Sequence, residues 1–144
     1  PVHIELKIQG DRAAVIEVAA RSIGGLCSRS LSFGLMGTTL ETLILRNAIG
    51  RRRDEMRRER VASGVLMIPT PASGTLSVVA GESETRGIPG ITGIDFTIRP
   101  GGSVVSPPEG DRYLGFVYAR ADTPEEVETA LRKAMSTLEV QLEG

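Results

Sequence analysis

Apolar and polar positions alternate with a period of two through the first nine residues, break at Gly10-Asp11-Arg12, and alternate again to about position 20. That pattern predicts a β-hairpin. A three-residue loop over positions 10–12 pairs Gln9 with Ala13, so that residues whose numbers sum to 22 face one another. Val2, Ile4, Leu6 and Ile8 then lie opposite Ala20, Val18, Ile16 and Ala14, and this one register gathers the aliphatic side chains on a single buried face. The other face carries His3, Glu5, Lys7 and Glu17. Glu5 and Glu17 are directly opposed there, with β-carbons about 4.5–5.5 Å apart, an arrangement that destabilises a hairpin unless positive charge lies nearby. A divalent cation would supply it. A solvated polar face, with Lys7 reaching diagonally to Glu17, fits the same pattern.

After Gly24-Gly25 and the run Cys27-Ser28-Arg29-Ser30, the period changes to that of a helix. Thr38 and Glu41 have capping-box spacing, Leu40, Leu43, Ile44 and Ala48 recur on one face, and Gly50 is placed to end the helix in a left-handed conformation. This helix is expected to pack on the apolar face of the preceding strands. Residues 51–60 carry six arginines, three acids and one apolar side chain, which suits either an anion-attracting patch or a solvated linker. We take this run as the boundary between a segment 1–50 and a second domain, 61–144.

The second segment has a strand rhythm. Gly64–Pro69 and Thr75–Val79, joined through Pro71, Ser73 and Gly74, read as a hairpin. A short helical turn over Glu82–Arg86, a strand from Ile91 to Ile98, a turn at Pro100-Gly101-Gly102 and a strand over Tyr113–Ala119 follow. Thr123, Pro124 and Glu126 combine an N-cap, a first-turn proline and a capping-box glutamate, and Val127, Ala130, Leu131, Ala134, Met135 and Leu138 form one apolar stripe. The spacing predicts a helix from 124 to about 137 and a returning strand over Glu139–Leu142. The fold class is therefore α+β: a largely antiparallel sheet with flanking helices.

The chain has 144 residues, 40 % of them hydrophobic, which suffices for a compact domain with an appended piece. A net charge of −1 gives no bulk attraction to nucleic acid, and the scarcity of aromatics argues against a base-stacking platform. One cysteine, Cys27, excludes an internal disulfide framework, and with a single histidine in the chain a buried apolar role suits it better than a nucleophile's. No run of eighteen apolar residues and no signal-peptide pattern occurs, so the reading is cytoplasmic and not membrane-bound.

Ile16-Glu17-Val18-Ala19-Ala20-Arg21-Ser22-Ile23-Gly24-Gly25 resembles the Glu-x-Asn-x-Arg segment near the end of the ATP-binding region of ATP-grasp ligases, a superfamily that includes biotin carboxylase and carbamoyl-phosphate synthase. An acidic residue about a dozen positions upstream shares the magnesium in that superfamily, and Glu5 occupies that place. The resemblance implies that Glu5 and Glu17 coordinate Mg2+ bridging the phosphates of ATP. It implies a catalytic role for Arg21, facing the acyl phosphate or substrate anion, and places Arg21, Gly24, Gly25 and Arg29 around the substrate. Ala19 departs from the pattern, because the family has a metal-ligating asparagine there and a methyl group coordinates nothing. Further on, Val104-Val105-Ser106-Pro107-Pro108 with Asp111, then Tyr113–Arg120 and Thr123-Pro124-Glu125-Glu126, resembles the C-terminal domain of biotin carboxylase.

Together these resemblances imply an ATP-dependent ligase that activates a small carboxylate as its acyl phosphate for attack by an amine or similar nucleophile. The nucleotide-holding lysines and glycine-rich loop of such an enzyme have no counterpart here, since Lys7 and Lys133 are the only lysines. We therefore expect a C-terminal fragment without turnover of its own. Ala19 also suits a different reading, a degenerate non-catalytic module for dimerisation or partner binding. A homodimer is compatible with either.

Overall fold

The computed structural model describes residues 1–33, 37–51 and 57–143. The chain divides into two compact units, Pro1–Glu59 and Arg60–Gly144. Half of the arginine-rich run, residues 52–56, lies outside the described residues.

The first unit opens with the expected hairpin of β1 (His3–Gln9) and β2 (Arg12–Ala19), paired antiparallel. Its register is partly different from the simple alternation. Gln9 pairs with Arg12 across the two-residue turn Gly10-Asp11, not with Ala13. Gly10, at the first central position of this turn, has φ +60°, a conformation glycine adopts without strain. Leu6 consequently faces Val15 and Ile8 faces Ala13. A bulge between Glu5 and Leu6 then takes up one residue on β2, leaving Ile16 unpaired, and the register beyond it is the expected one: Glu5 with Glu17, Ile4 with Val18, His3 with Ala19. The shorter turn and the bulge cancel, so the two acids meet although the residues nearer the turn are displaced by one.

The aliphatic face of this hairpin is not buried. Ile4, Leu6, Ile8, Val15, Ile16 and Val18 are all exposed, Ile8 by 71 %. The expectation that the following helix covers them also fails. α1 (Leu40–Ala48) buries none of its residues and packs instead on a 3-10 turn at Cys27–Ser30. Amphipathic patterning identifies which face is apolar; it does not say which layer covers it. The start of α1 is one residue later than expected. Thr39, not Thr38, is the N-cap and accepts a hydrogen bond from the Thr42 amide at 3.2 Å. The helix ends as predicted at Gly50, with φ +72°, where the amides of Gly50 and Arg51 bond the carbonyls of Asn47 and Arg46.

In the second unit the elements are β3 (Ala62–Met67), β4 (Gly74–Ala80), α2 (Glu82–Arg86), β5 (Ile91–Phe96), β6 (Ser103–Val104), β7 (Gly115–Ala121), α3 (Pro124–Thr137) and β8 (Glu139–Glu143). They form two three-stranded antiparallel sheets, ordered β3-β7-β5 and β6-β4-β8. The predicted β3–β4 hairpin does not exist: β3 pairs with β7, and β4 pairs with β6 and β8. Pro69 and Pro71 in the connection have no amide to donate, which suits a crossing between sheets better than a ladder.

α3 is capped as its sequence requires, with Thr123 and Glu126 bonding each other's backbone amides and Pro124 in the first turn. Its Val127, Ala130 and Ala134 are buried and lie in one core with Leu76, Leu114, Val104 and Val117. Gly64 on β3 permits this approach, because a β-carbon there would lie 2.7 Å from Val127 Cγ1. Gly81, with φ +80°, turns the chain between β4 and α2 where any β-carbon would strike the Thr137 carbonyl.

Leu76 has no exposed surface. Leu76→Ala is expected to lower the unfolding free energy by about 3 kcal/mol, and Gly81→Ala to lower it by at least ~1 kcal/mol through strain and collision. Urea unfolding followed by circular dichroism measures both, and a loss under ~1 kcal/mol for Leu76→Ala would contradict this description of the core.

Candidate functional site

The polar face of the hairpin carries the candidate chemistry. Glu5 and Glu17 are cross-strand partners, and the bulge immediately beside them alters the pleat at this point. Arg21, four residues beyond Glu17 and past the end of β2, turns back so that its Nη2 lies 3.2 Å from Glu17 Oε1. Its Nη1 donates to the Ser22 carbonyl at 3.1 Å. Both side chains of the pair are about half exposed, at 49 % and 48 %, so the ion pair is screened and readily exchanged for other partners. The positive charge beside the opposed acids is thus the Arg21 guanidinium. It is also the group that, by the resemblance to ATP-grasp ligases, is expected to face the substrate anion.

His3 and Ala19 face each other at the next position along the ladder. Nδ1 of His3 is buried without a hydrogen-bond partner. Among the described residues no three histidine, cysteine or acidic side chains gather as a metal cage. Two carboxylates are nevertheless a sufficient protein contribution for magnesium, which keeps several waters and takes its remaining oxygens from substrate phosphates. The donor set fits that ion and not a softer one, since both donors are hard oxygens.

Downstream, Gly24 and Gly25 are exposed. Gly25 has a φ of +61°, which favours glycine. At Gly24 φ is not in the left-handed region, and an added β-carbon would meet nothing within 4 Å. The loop then tightens into the 3-10 turn, where Leu31 N–H donates to the Ser28 carbonyl and the Ser30 hydroxyl to the Cys27 carbonyl at 2.9 Å. Cys27 is half-buried, and burial pushes its thiol above the ordinary value, in keeping with an unreactive side chain.

One contact here was not anticipated. The Ser28 hydroxyl, buried in its turn, donates to Oε1 of Glu41 in the first turn of α1. This bond holds the Glu41 carboxyl below its ordinary value, helped by the residue's own amide, by Thr39 and by the charge of Arg29. Arg29 is exposed and basic in the last turn of the 3-10 segment, so part of its field falls on Glu41. A serine within a polar run and a glutamate at capping-box spacing look unrelated in the sequence. Only the fold brings positions thirteen residues apart together.

The folded state holds Glu41 more acidic than the unfolded chain does, so its contribution to stability is present above pH 4.5 and is lost as pH falls through the lower folded value. Glu41→Gln is expected to flatten the acid limb of a stability-against-pH curve for this chain. An unchanged acid limb in the variant would contradict the contact.

Residues 66–143 match the family model of the L-amino acid ligase C-terminal domain 2. The whole chain also superposes on a crystal structure of L-amino acid ligase from Bacillus licheniformis, with a TM-score of 0.76 and 25 % identity over 99 % of this chain and 36 % of that one. Phosphoribosylglycinamide synthetase from Anaerococcus prevotii shares the fold, with a TM-score of 0.73 and 15 % identity over 99 % of this chain and 37 % of that one. The chain therefore spans little more than a third of either solved structure. No curated protein matches it. No helix among the described residues is long and apolar enough to cross a membrane. With more than half its length matched by that domain model, and with both solved relatives being ATP-grasp enzymes, the chain belongs to the L-amino acid ligase C-terminal domain family of the ATP-grasp ligases.

Proposed function

We propose that this chain supplies the metal-binding hairpin and C-terminal domain of an ATP-dependent ligase that activates the carboxylate of an amino acid and passes it to an amine. The observation that carries the reading is the direct opposition of Glu5 and Glu17 with Arg21 beside them. Glu5 and Glu17 would hold magnesium, which when bound supplies charge neutralisation to the phosphates of ATP. In the reaction a carboxylate oxygen of the amino acid attacks the γ-phosphorus, a carbon–oxygen–phosphorus linkage forms, and ADP leaves. The amine then attacks the carbonyl carbon, and inorganic phosphate departs with the bond to oxygen.

Arg21 suits the acyl phosphate because a guanidinium presents several donors in one plane to phosphate or carboxylate oxygens. Glu17 would hold the cation together with Glu5, and Arg21, whose ion pair with Glu17 is half exposed, would be available to the substrate anion. Gly24 and Gly25 offer backbone that an amino acid can approach closely. Arg29, whose charge already bears on Glu41, would add to the positive field of that loop. Phosphoryl transfer depends on positioning and neutralisation by parts from more than one lobe, so this chain alone would not turn over. We place the enzyme in the cytoplasm, working as a monomer or homodimer on small molecules. The degenerate-module reading retains one supporting feature, the methyl group of Ala19 where the Glu-x-Asn-x-Arg pattern has an asparagine.

The test is amino-acid-dependent release of ADP by the intact protein. Arg21→Ala is expected to lower kcat/KM for the amino acid by about 100-fold or more, equivalent to ~3 kcal/mol of lost transition-state stabilisation. The absence of ADP release with any amino acid would favour the non-catalytic module instead.

A further inference from the structure

We propose that Glu41 is a positioning residue which, through Ser28, latches the loop Gly24–Ser30 in the shape that receives the amino-acid substrate; this rests on the ligase reading given above. The loop needs such a tie. It follows the last residue of a hairpin whose aliphatic face is exposed, it contains two glycines, and Gly24 has no side-chain or backbone neighbour where a β-carbon would project. The turn bonds from Arg29 to Leu26, Leu31 to Ser28 and Ser30 to Cys27 set its curl.

The bond from Ser28 to Glu41 is different in kind. It joins the loop to the first turn of α1, across thirteen residues of sequence, and it joins a buried hydroxyl to a carboxylate. Hydrogen bonds with one ionised partner are about twice as strong as neutral ones, and a buried hydroxyl left without its acceptor is costly. Ser28 is the one residue classed as buried among the described residues of the first unit. The anchoring point is therefore where solvent competes least. Glu41 stands in the first turn of α1, two residues after the N-cap Thr39, so the acceptor belongs to a helix terminus. Loop and helix move together as a consequence.

Glu41 does not touch the acids Glu5 and Glu17, and its loss need not disturb nucleotide binding. The expected signature is selective. In the intact protein, Glu41→Ala and Ser28→Ala each raise KM for the amino acid by about tenfold while KM for ATP stays within about twofold, and the double variant is no worse than either single. Glu41→Gln, which keeps an acceptor oxygen, restores most of the affinity. A structural readout is independent of activity. Amide hydrogen exchange on this chain is expected to quicken at residues 24–31 in Glu41→Ala and Ser28→Ala, with α3 and the second unit unchanged.

Exchange at residues 24–31 that is the same in the variants and the parent chain overturns the latch. Quickened exchange with an unaltered amino-acid KM overturns its role in substrate binding. If the parent protein shows no amino-acid-dependent turnover at all, the ligase reading fails and the exchange pattern alone decides whether the latch exists. Should Glu41→Ala prove too unstable to study, Ser28→Ala reads the same bond from its other end.

Discussion

Two carboxylates facing each other across one rung of an antiparallel ladder are an electrostatic liability, and the first unit is built around that liability. Opposed like charges weaken a hairpin. Here the pair is kept, with a guanidinium four residues downstream leaning back on Glu17 and a β-bulge beside the rung. The arrangement is understandable if the acids are there for something other than stability. Under the proposed function a hard divalent ion would turn their repulsion into joint coordination, and Arg21, seen here on Glu17, would serve the substrate anion.

The two units meet their stability requirements differently. The second unit has a continuous core in which Leu76, Leu114, Val104 and Val117 are almost wholly buried together with Ala134 of α3. The first has a hairpin with an exposed aliphatic face and a helix with no buried residue. Its order rests on backbone ladders, on helix caps and on single polar contacts such as Ser28 with Glu41. In such a unit one charge-assisted hydrogen bond has more influence on local shape than it would have in a packed core.

The local parts of this fold were legible in the sequence and the long-range parts were not. The capping box at Thr123 and Glu126, the end of α1 at Gly50, the hairpin and the opposition of Glu5 and Glu17 all follow from short-range chemistry, and all are present. The opposition was reached through a register that is wrong by one near the turn, because alternation cannot distinguish a three-residue loop from a two-residue turn followed by a bulge. The missing β3–β4 hairpin has another cause. Turn residues mark where a chain bends but not which strand it meets next, and β3 finds β7 some fifty residues later. Thr38 has the capping-box spacing to Glu41, yet backbone geometry makes its neighbour Thr39 the N-cap. Covering layers, and the meeting of Ser28 with Glu41, depend on tertiary placement that no periodicity encodes.

The central claim is that Glu5 and Glu17 act as one site. Manganese, a spectroscopic substitute for magnesium, reports this directly when its binding to the intact protein with ADP is followed by electron paramagnetic resonance. The account predicts that Glu5→Gln and Glu17→Gln each weaken binding by about tenfold or more, ~1.4 kcal/mol, and that the double variant is little weaker than the singles because the pair works as a unit. Undiminished manganese binding in both single variants would contradict it.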